Sequence, residues 1–279
     1  MPSPSRPGLL LAIDGDSLAH RAYHALPKSI KGAAGRPAGA LVGFSNFLLR
    51  LWEAEQPDAV AVGWDTLDVP TYRNEALPGY QAGRVFDQAI REQLDALPAL
   101  VEAFGFIAAK AEGYEADDFL AAAAARWTGP VKVVTSDRDA FQLVSERVTV
   151  LQPVRGVSEL ARVGPAEVRE RYGVDPGQVP DFIALRGDSS DRIPGAKGVG
   201  PRTAADLLTR YGTLEAALAG GRFEAVADDL RLYRHIATMD PEAPLPELHE
   251  TPPDWAGAEA AARELGLNAL AKRIAELAG

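Results

Sequence analysis

The sequence predicts an α/β fold with a mostly parallel central sheet flanked by helices. Three observations predict it. Short aliphatic runs ending in polar turns recur at Leu9 to Ile13, Ala59 to Trp64 and Val131 to Thr135, with a fourth at Val148 to Leu151. Helical patterns lie between them, and alternating strand and helix is the order that buries a parallel sheet on both faces. Finally, Asp14, Asp65 and Asp137 each stand just past one of those runs, and in such sheets ligands bind outside the carboxyl ends of the strands.

The remaining segments follow in order. Residues 68–97, "DVPTYRNEALPGYQAGRVFDQ" and beyond, are polar and aromatic with Pro70 and Pro78, and read as a partly helical insertion over the crevice. "GYEADDFLAAAAA", from Gly113, opens an alanine-rich helix with Glu115, Asp117 and Asp118 in its first turn. From Asp181 strand signals vanish and the chain reads helical to about residue 240. The proline cluster "MDPEAPLPELHETPPDW" reads as an extended connector before a last helix over 256–277. This divides the chain into an α/β core, 1–180, and a helical lobe, 181–279.

The 279 residues contain no cysteine, which excludes disulfides and thiol chemistry. The apolar stretch near the N-terminus is too short for a signal peptide, and no segment approaches a membrane span, so a soluble cytoplasmic protein, monomeric by default, is expected. A net charge of -10 argues against a polyanionic partner, but its distribution does not. Ser17 to Trp52 holds no acid and includes Arg21, Lys28, Lys31, Arg36 and Arg50, while Arg186, Arg192, Lys197, Arg202 and Arg210 surround a glycine-rich turn. If Asp14, Asp65, Glu115, Asp117, Asp118, Asp137, Asp139, Asp188 and Asp191 form one metal-neutralised cluster, the rest of the chain is close to neutral. Solvated charged faces remain the plain alternative.

Acids in the first turn of a helix are favoured by its dipole, which alone explains "GYEADD". It does not explain acids following several strands. Two carboxylates about 5 Å apart repel by roughly 3 kcal/mol at an effective dielectric of about 20, so a cluster must protonate or hold cations. Oxygen-only ligands favour magnesium or manganese, and two such ions can hold a phosphodiester and activate water toward it. A second phosphoryl chemistry competes, because "AIDGDSL", "VVTSD" and "GDSSD" also fit the motifs of haloacid dehalogenase-type phosphatases. That chemistry needs a lysine between the last two motifs, and Ser136 to Asp188 contains none.

"IPGAKGVGPRTAADLL", from Ile193, carries the other informative pattern. Gly195, Gly198 and Gly200 permit a tight turn and Pro201 starts a helix, presenting free amides with Lys197 and Arg202 alongside. A plain helix connection would look similar. The hydrophobic-G-x-G-x-x-x-A spacing is that of a helix-hairpin-helix, about 181–212, gripping a nucleic-acid backbone without reading sequence.

With "DGDSLAHRAYHAL", "WDTLDVPTYRNEALPGYQAGR", "EGYEADDFLA", "VTSDRDAFQL" and "LRGDSSDRIPGAKGVGPRTA" in that order, the chain resembles the 5'-3' exonuclease and flap endonuclease family. That family includes the nuclease domain of bacterial DNA polymerase I and stand-alone and phage proteins, and the chain ends about where a polymerase portion would begin. The resemblance implies a PIN-like nuclease core with a helical arch. Asp14, Asp65, Glu115 and Asp117 would gather round a first metal with Asp118 beside them. Asp137 and Asp139 would stand between the sites, and Asp188 and Asp191 would serve the second. Arg73 and Arg84 match phosphate-contacting arginines of the arch, Tyr80 would offer a stacking face, and Arg21 matches a basic position near the site. The hairpin would hold a potassium ion and grip DNA bearing a 5' flap, overhang or nick, including RNA-primed ends, in primer removal and repair. Three departures stand out: Gln81 replaces a usual lysine, the arch after Arg84 lacks a proline and is a residue shorter, and Arg192 replaces a usual asparagine. A non-catalytic branched-DNA binder and an RNase of related fold are the other readings.

Overall fold

Successive strand residues point to opposite faces, so Leu10 and Ala12 enter one core while Leu11 and Ile13 enter the other. The computed structural model describes residues 8–82, 87–155 and 159–279. In chain order its regular elements begin with β1 (Leu10–Asp14), α1 (Gly15–Ala25), α2 (Gly39–Glu55), β2 (Ala59–Gly63), α3 (Tyr72–Ala76), α4 (Gln88–Ala103), β3 (Ile107–Ala109) and α5 (Ala116–Arg126). They continue with β4 (Val131–Val134), β5 (Val148–Arg155), β6 (Glu159–Val163), α6 (Pro165–Tyr172), α7 (Val179–Arg186) and α8 (Pro201–Tyr211). The chain closes with α9 (Leu214–Ala219), α10 (Ala227–Ala237), α11 (Trp255–Glu264) and α12 (Asn268–Ala278).

Among the described residues the strands form one sheet in the order β3-β2-β1-β4-β5-β6, parallel except for β6. The order runs outward from β1 in both directions, which makes the gap beyond β1 and β4 the point where ligands bind in such sheets. Two strands escape the sequence pattern. β3, "IAA", is apolar but only three residues long, and β6, "ELARV", is a largely solvent-facing edge strand with no apolar run.

One face of the sheet is covered by α5 and the helical lobe, the other by α1, α2 and α4. The expected insertion over 68–97 ends earlier than the sequence suggests. Residues 88–97 are the first turns of α4, whose Ile90, Leu94 and Leu97 are buried against the sheet and α2. The expected last helix, 256–277, is two helices broken at Gly266, whose φ of +72° is left-handed and ends α11. Nor do they join the lobe. α11 packs on α4 and α12 on α2, with Trp255 edge-on to Trp52 at 4.8 Å and Arg273 donating to the Asn46 side chain at 2.7 Å. The stripe Ala258, Ala262, Leu270, Ala271 and Ile274 needed an apolar partner, and the uncovered face of the core supplied one. Among the described residues no helix is long and apolar enough to cross a membrane.

Candidate active site

β1 delivers Asp14 to the end of the sheet almost fully buried, where its carboxylate accepts from the Ser17 amide at 2.9 Å and the Thr135 hydroxyl at 2.6 Å. The first bond also caps α1. Asp16, two residues on, accepts from the Asp65 amide at 2.7 Å, and Asp65 in turn accepts from the Ala116 amide at 2.7 Å at the start of α5. Asp16 is a site residue that the motif reading left unassigned. Its signal was the D-x-D spacing, but only the position of β2 shows that the second acid turns toward Asp65.

Glu115 caps α5 and accepts from the Thr71 hydroxyl at 3.0 Å and the Tyr80 hydroxyl at 3.1 Å. Asp118 reaches back to the Glu115 amide at 3.1 Å, closing a capping box. The two acids of this first turn then part. Asp117 faces the cavity described below, whereas Asp118 is completely buried and takes a bidentate bond from Arg73 at 2.7 and 2.8 Å. Tyr72 Oη and the Asp240 amide donate to it as well. With its oxygens thus occupied, Asp118 is not placed as a metal ligand, which corrects the expectation for it.

Arg73 and Tyr80 are corrected for the same reason. The Arg73 side chain is 2% exposed; besides Asp118 it faces Glu115 at 3.4 Å and donates to the Ile236 carbonyl at 2.9 Å. A planar guanidinium surrounded by carboxylates and carbonyls has no donor left for a DNA phosphate. Tyr80 is 4% exposed and offers no stacking face; burial and the Glu115 charge push its phenol up, so it stays a donor. Gln81, in a left-handed conformation, links the Tyr80 hydroxyl at 2.8 Å to Asp191 at 2.9 Å. Gln81 lines the cavity; Asp191 is buried and does not. Arg84 lies outside the described residues.

The remaining acids share one cavity of about 670 Å³ at the carboxyl ends of β1, β2 and β4: Asp14, Asp16, Asp65, Glu115, Asp117, Asp137, Asp139 and Asp188. Burial pushes Asp14 up to about 7, with the Asp65 and Asp137 charges adding to it, and pushes Glu115 up to about 7 despite Arg73. Asp16, Asp117 and Asp139 are raised too, by burial first and then by neighbouring carboxylates. Asp188 goes the other way: burial opposes it, but bonds from Ser190 and the Arg186 charge hold it below the usual range. The acids line a common wall; no three described acids or histidines already converge as a formed metal group. An all-oxygen donor set carrying this much unrelieved repulsion fits hard divalent cations.

This repulsion predicts a pH dependence without metal. Asp14 and Glu115 hold their protons more tightly in the folded chain, at about 7, than in the unfolded one, at about 4. Their contribution to stability is therefore complete below about pH 4 and lost as pH rises through about 7. In chelator the melting temperature is expected to fall between pH 5.5 and 8, and saturating magnesium to remove most of the fall. A chelated protein equally stable at both values would contradict this.

Basic residues frame the cavity on two sides. Arg21 on α1 donates to Ser136 and to the Pro153 carbonyl, both at 3.4 Å. Across the cavity, α7 and α8 form a helix hairpin; Arg186 at the end of α7 and Asp188, Ser189 and Ser190 of the connecting turn stand in the cavity wall. Lys197 and Arg202 are exposed on it, and a Cβ at Gly198 or Gly200 would meet nothing within 4 Å, so the backbone there is open to a ligand. Arg192 is exposed on the same turn.

Comparison with known proteins decides the family. Residues 9–173 match the model of the 5'-3' exonuclease N-terminal resolvase-like domain, and residues 174–256 that of the 5'-3' exonuclease C-terminal SAM fold. The chain belongs to the 5'-3' exonuclease family. It is 34% identical over 295 residues to a 5'-3' exonuclease of Streptomyces coelicolor, covering 95% of this chain and 98% of that protein. It is 44% identical over 218 residues to DNA polymerase I of Deinococcus radiodurans, covering 77% of this chain but 22% of that protein, so it spans a minor part of the polymerase's length. The bacteriophage T5 flap endonuclease, solved as a pseudo-enzyme-product complex with DNA and metal ions, shares the fold with a TM-score of 0.69 at 20% identity, over 97% of this chain and 99% of that one. The fold class and the family expected from the motifs are borne out.

Proposed function

We propose that the chain is a divalent-metal-dependent, structure-specific 5' nuclease that hydrolyses phosphodiester bonds at 5' flaps and 5' ends of DNA. The observation that carries this reading is one of adjacency. The hairpin turn suited to gripping a nucleic-acid backbone is itself a wall of the acid cavity, since Arg186, Asp188, Ser189 and Ser190 line it. A duplex held at Lys197, Gly198, Gly200 and Arg202 then brings a strand to the carboxylates by structure rather than sequence.

Asp14, Asp65, Glu115 and Asp117 would hold one magnesium or manganese ion, and Asp139 and Asp188 a second, with Asp137 between them. Bound there, such ions neutralise the phosphoryl oxygens and acidify the attacking water. The chain's own part is to aim the carboxylates: Thr135 and Ser17 fix Asp14, Thr71 and Tyr80 fix Glu115, and the Ala116 amide fixes Asp65. Arg21 supplies positive charge to the strand. A potassium ion in the hairpin, RNA-primed 5' ends as substrates, action as a cytoplasmic monomer, and a role in primer removal and repair complete the reading.

The test is cleavage of a 5'-labelled flap duplex, beside a blunt duplex and a bare single strand, in magnesium, manganese or chelator. Metal-dependent cutting near the junction is expected. Tight flap binding without cleavage in either metal would make the chain a junction-binding protein instead.

A further inference from the structure

Arg192 holds φ at +59°, a left-handed conformation that strains any residue with a Cβ and that asparagine tolerates better than arginine does. Strain retained on an exposed turn points to a use for the side chain. The turn is rigid: Asp188 and Ile193 exchange both backbone hydrogen bonds, at 2.7 and 2.8 Å, and close the loop that carries Arg192. Among the described residues the Arg192 guanidinium makes no ion pair.

A second guanidinium faces the same space. Arg186, at the end of α7, lies over the Phe182 ring at 5.2 Å and the Tyr172 ring at 5.8 Å and donates to Asp188 at 3.0 Å. It is thereby held in place before any ligand arrives. Its Nε is buried with no partner among the described residues. Arg186 and Arg192 line a cavity of about 520 Å³ together with Gly187, Ser189 and Pro201. This cavity shares Arg186, Asp188 and Ser189 with the acid cavity, so the two adjoin at those residues.

We infer that Arg186 and Arg192 form a phosphate site for the link of the DNA strand next to the one that is cut, on the side toward the hairpin. The inference rests on the proposed nuclease function. Two arginines, one fixed by aromatic rings and one by a strained turn, suit a phosphodiester oxygen pair better than they suit a base edge. The adjoining acids disfavour an anion on their own, so the site works on a strand whose neighbouring phosphate is held at the metal-loaded carboxylates. Arg192 acts there in binding and register, not in bond breaking.

The experiment measures flap-duplex affinity against salt for Arg192→Asn, in an Asp137→Asn background with magnesium so that the substrate is retained. Loss of one phosphate contact is expected to weaken binding about threefold to tenfold and to reduce the log-log salt slope by about one. The same substitution relieves the strained φ, so the melting temperature is expected to rise by about 2 to 4 °C. Arg192→Lys, which keeps the charge, should restore most of the slope without the fork. An unchanged slope and affinity in Arg192→Asn would overturn the site. Cleavage by the wild-type chain in the same buffer reports separately on the nuclease reading, which stands or falls by that result alone.

Discussion

Replacing Arg73 with methionine is expected to destabilise the fold by about 3 to 5 kcal/mol, the usual cost of orphaning a buried ionic partner. The side chain is 2% exposed and bonds both oxygens of Asp118, which is itself fully buried, while facing Glu115 at 3.4 Å and the Ile236 carbonyl at 2.9 Å. Methionine preserves the packing but leaves two carboxylates without their cation. Urea denaturation measures the loss. Adding Asp118→Asn should recover part of it, because the remaining amide no longer carries an unpaired charge, and the double-mutant cycle isolates the pair. Lysine should rescue poorly, since one ammonium cannot reproduce the bidentate fork. A methionine variant within about 1 kcal/mol of the wild type would mean that the ion pair is not formed in solution. The pair joins α3, α5 and the end of α10, so loosening it is also expected to loosen Glu115 and weaken metal-dependent activity.

Asp117→Asn is expected to have opposite effects on activity and on stability. Turnover on a flap substrate should fall by at least about a thousandfold, or roughly 4 kcal/mol in the barrier, because a charged ligand of the proposed metal site is lost. In chelator the same variant should be more stable than the wild type by about 1 to 2 kcal/mol, since burial first and then repulsion by Asp137 and Asp14 disfavour the Asp117 carboxylate, and the amide carries no charge. Magnesium should reverse the order by stabilising the wild type more. Urea titrations in chelator and in magnesium, run beside single-turnover cleavage, separate the two effects. A variant less stable than the wild type in chelator would show that the carboxylate serves structure and not metal binding.

The acids cost stability in the bare chain, and Arg73 and Asp118 offset that cost just behind them. Asp118 differs from Asp117 by one residue on α5, yet the turn of the helix sends one into the cavity and the other into a sealed pair. Such division of labour within a four-residue acid run belongs to the arrangement of α3 and α10, elements distant in sequence.

The sequence by itself determined the alternation of strands and helices, the acids at the ends of β1, β2 and β4, and the glycine turn into α8, because each is written in local pattern: apolar runs, turn residues and caps. The ordered motifs carried the family for the same reason. Only the tertiary structure decided that Asp16 joins the cavity, that Asp118, Asp191, Arg73 and Tyr80 turn inward, and that α11 and α12 return to the α/β core. Those outcomes depend on which buried partner each polar group or apolar stripe meets. Residue type shows that a charge needs a partner, but the partner's identity depends on packing between segments as far apart as Arg73 and Ile236, where local periodicity carries no information.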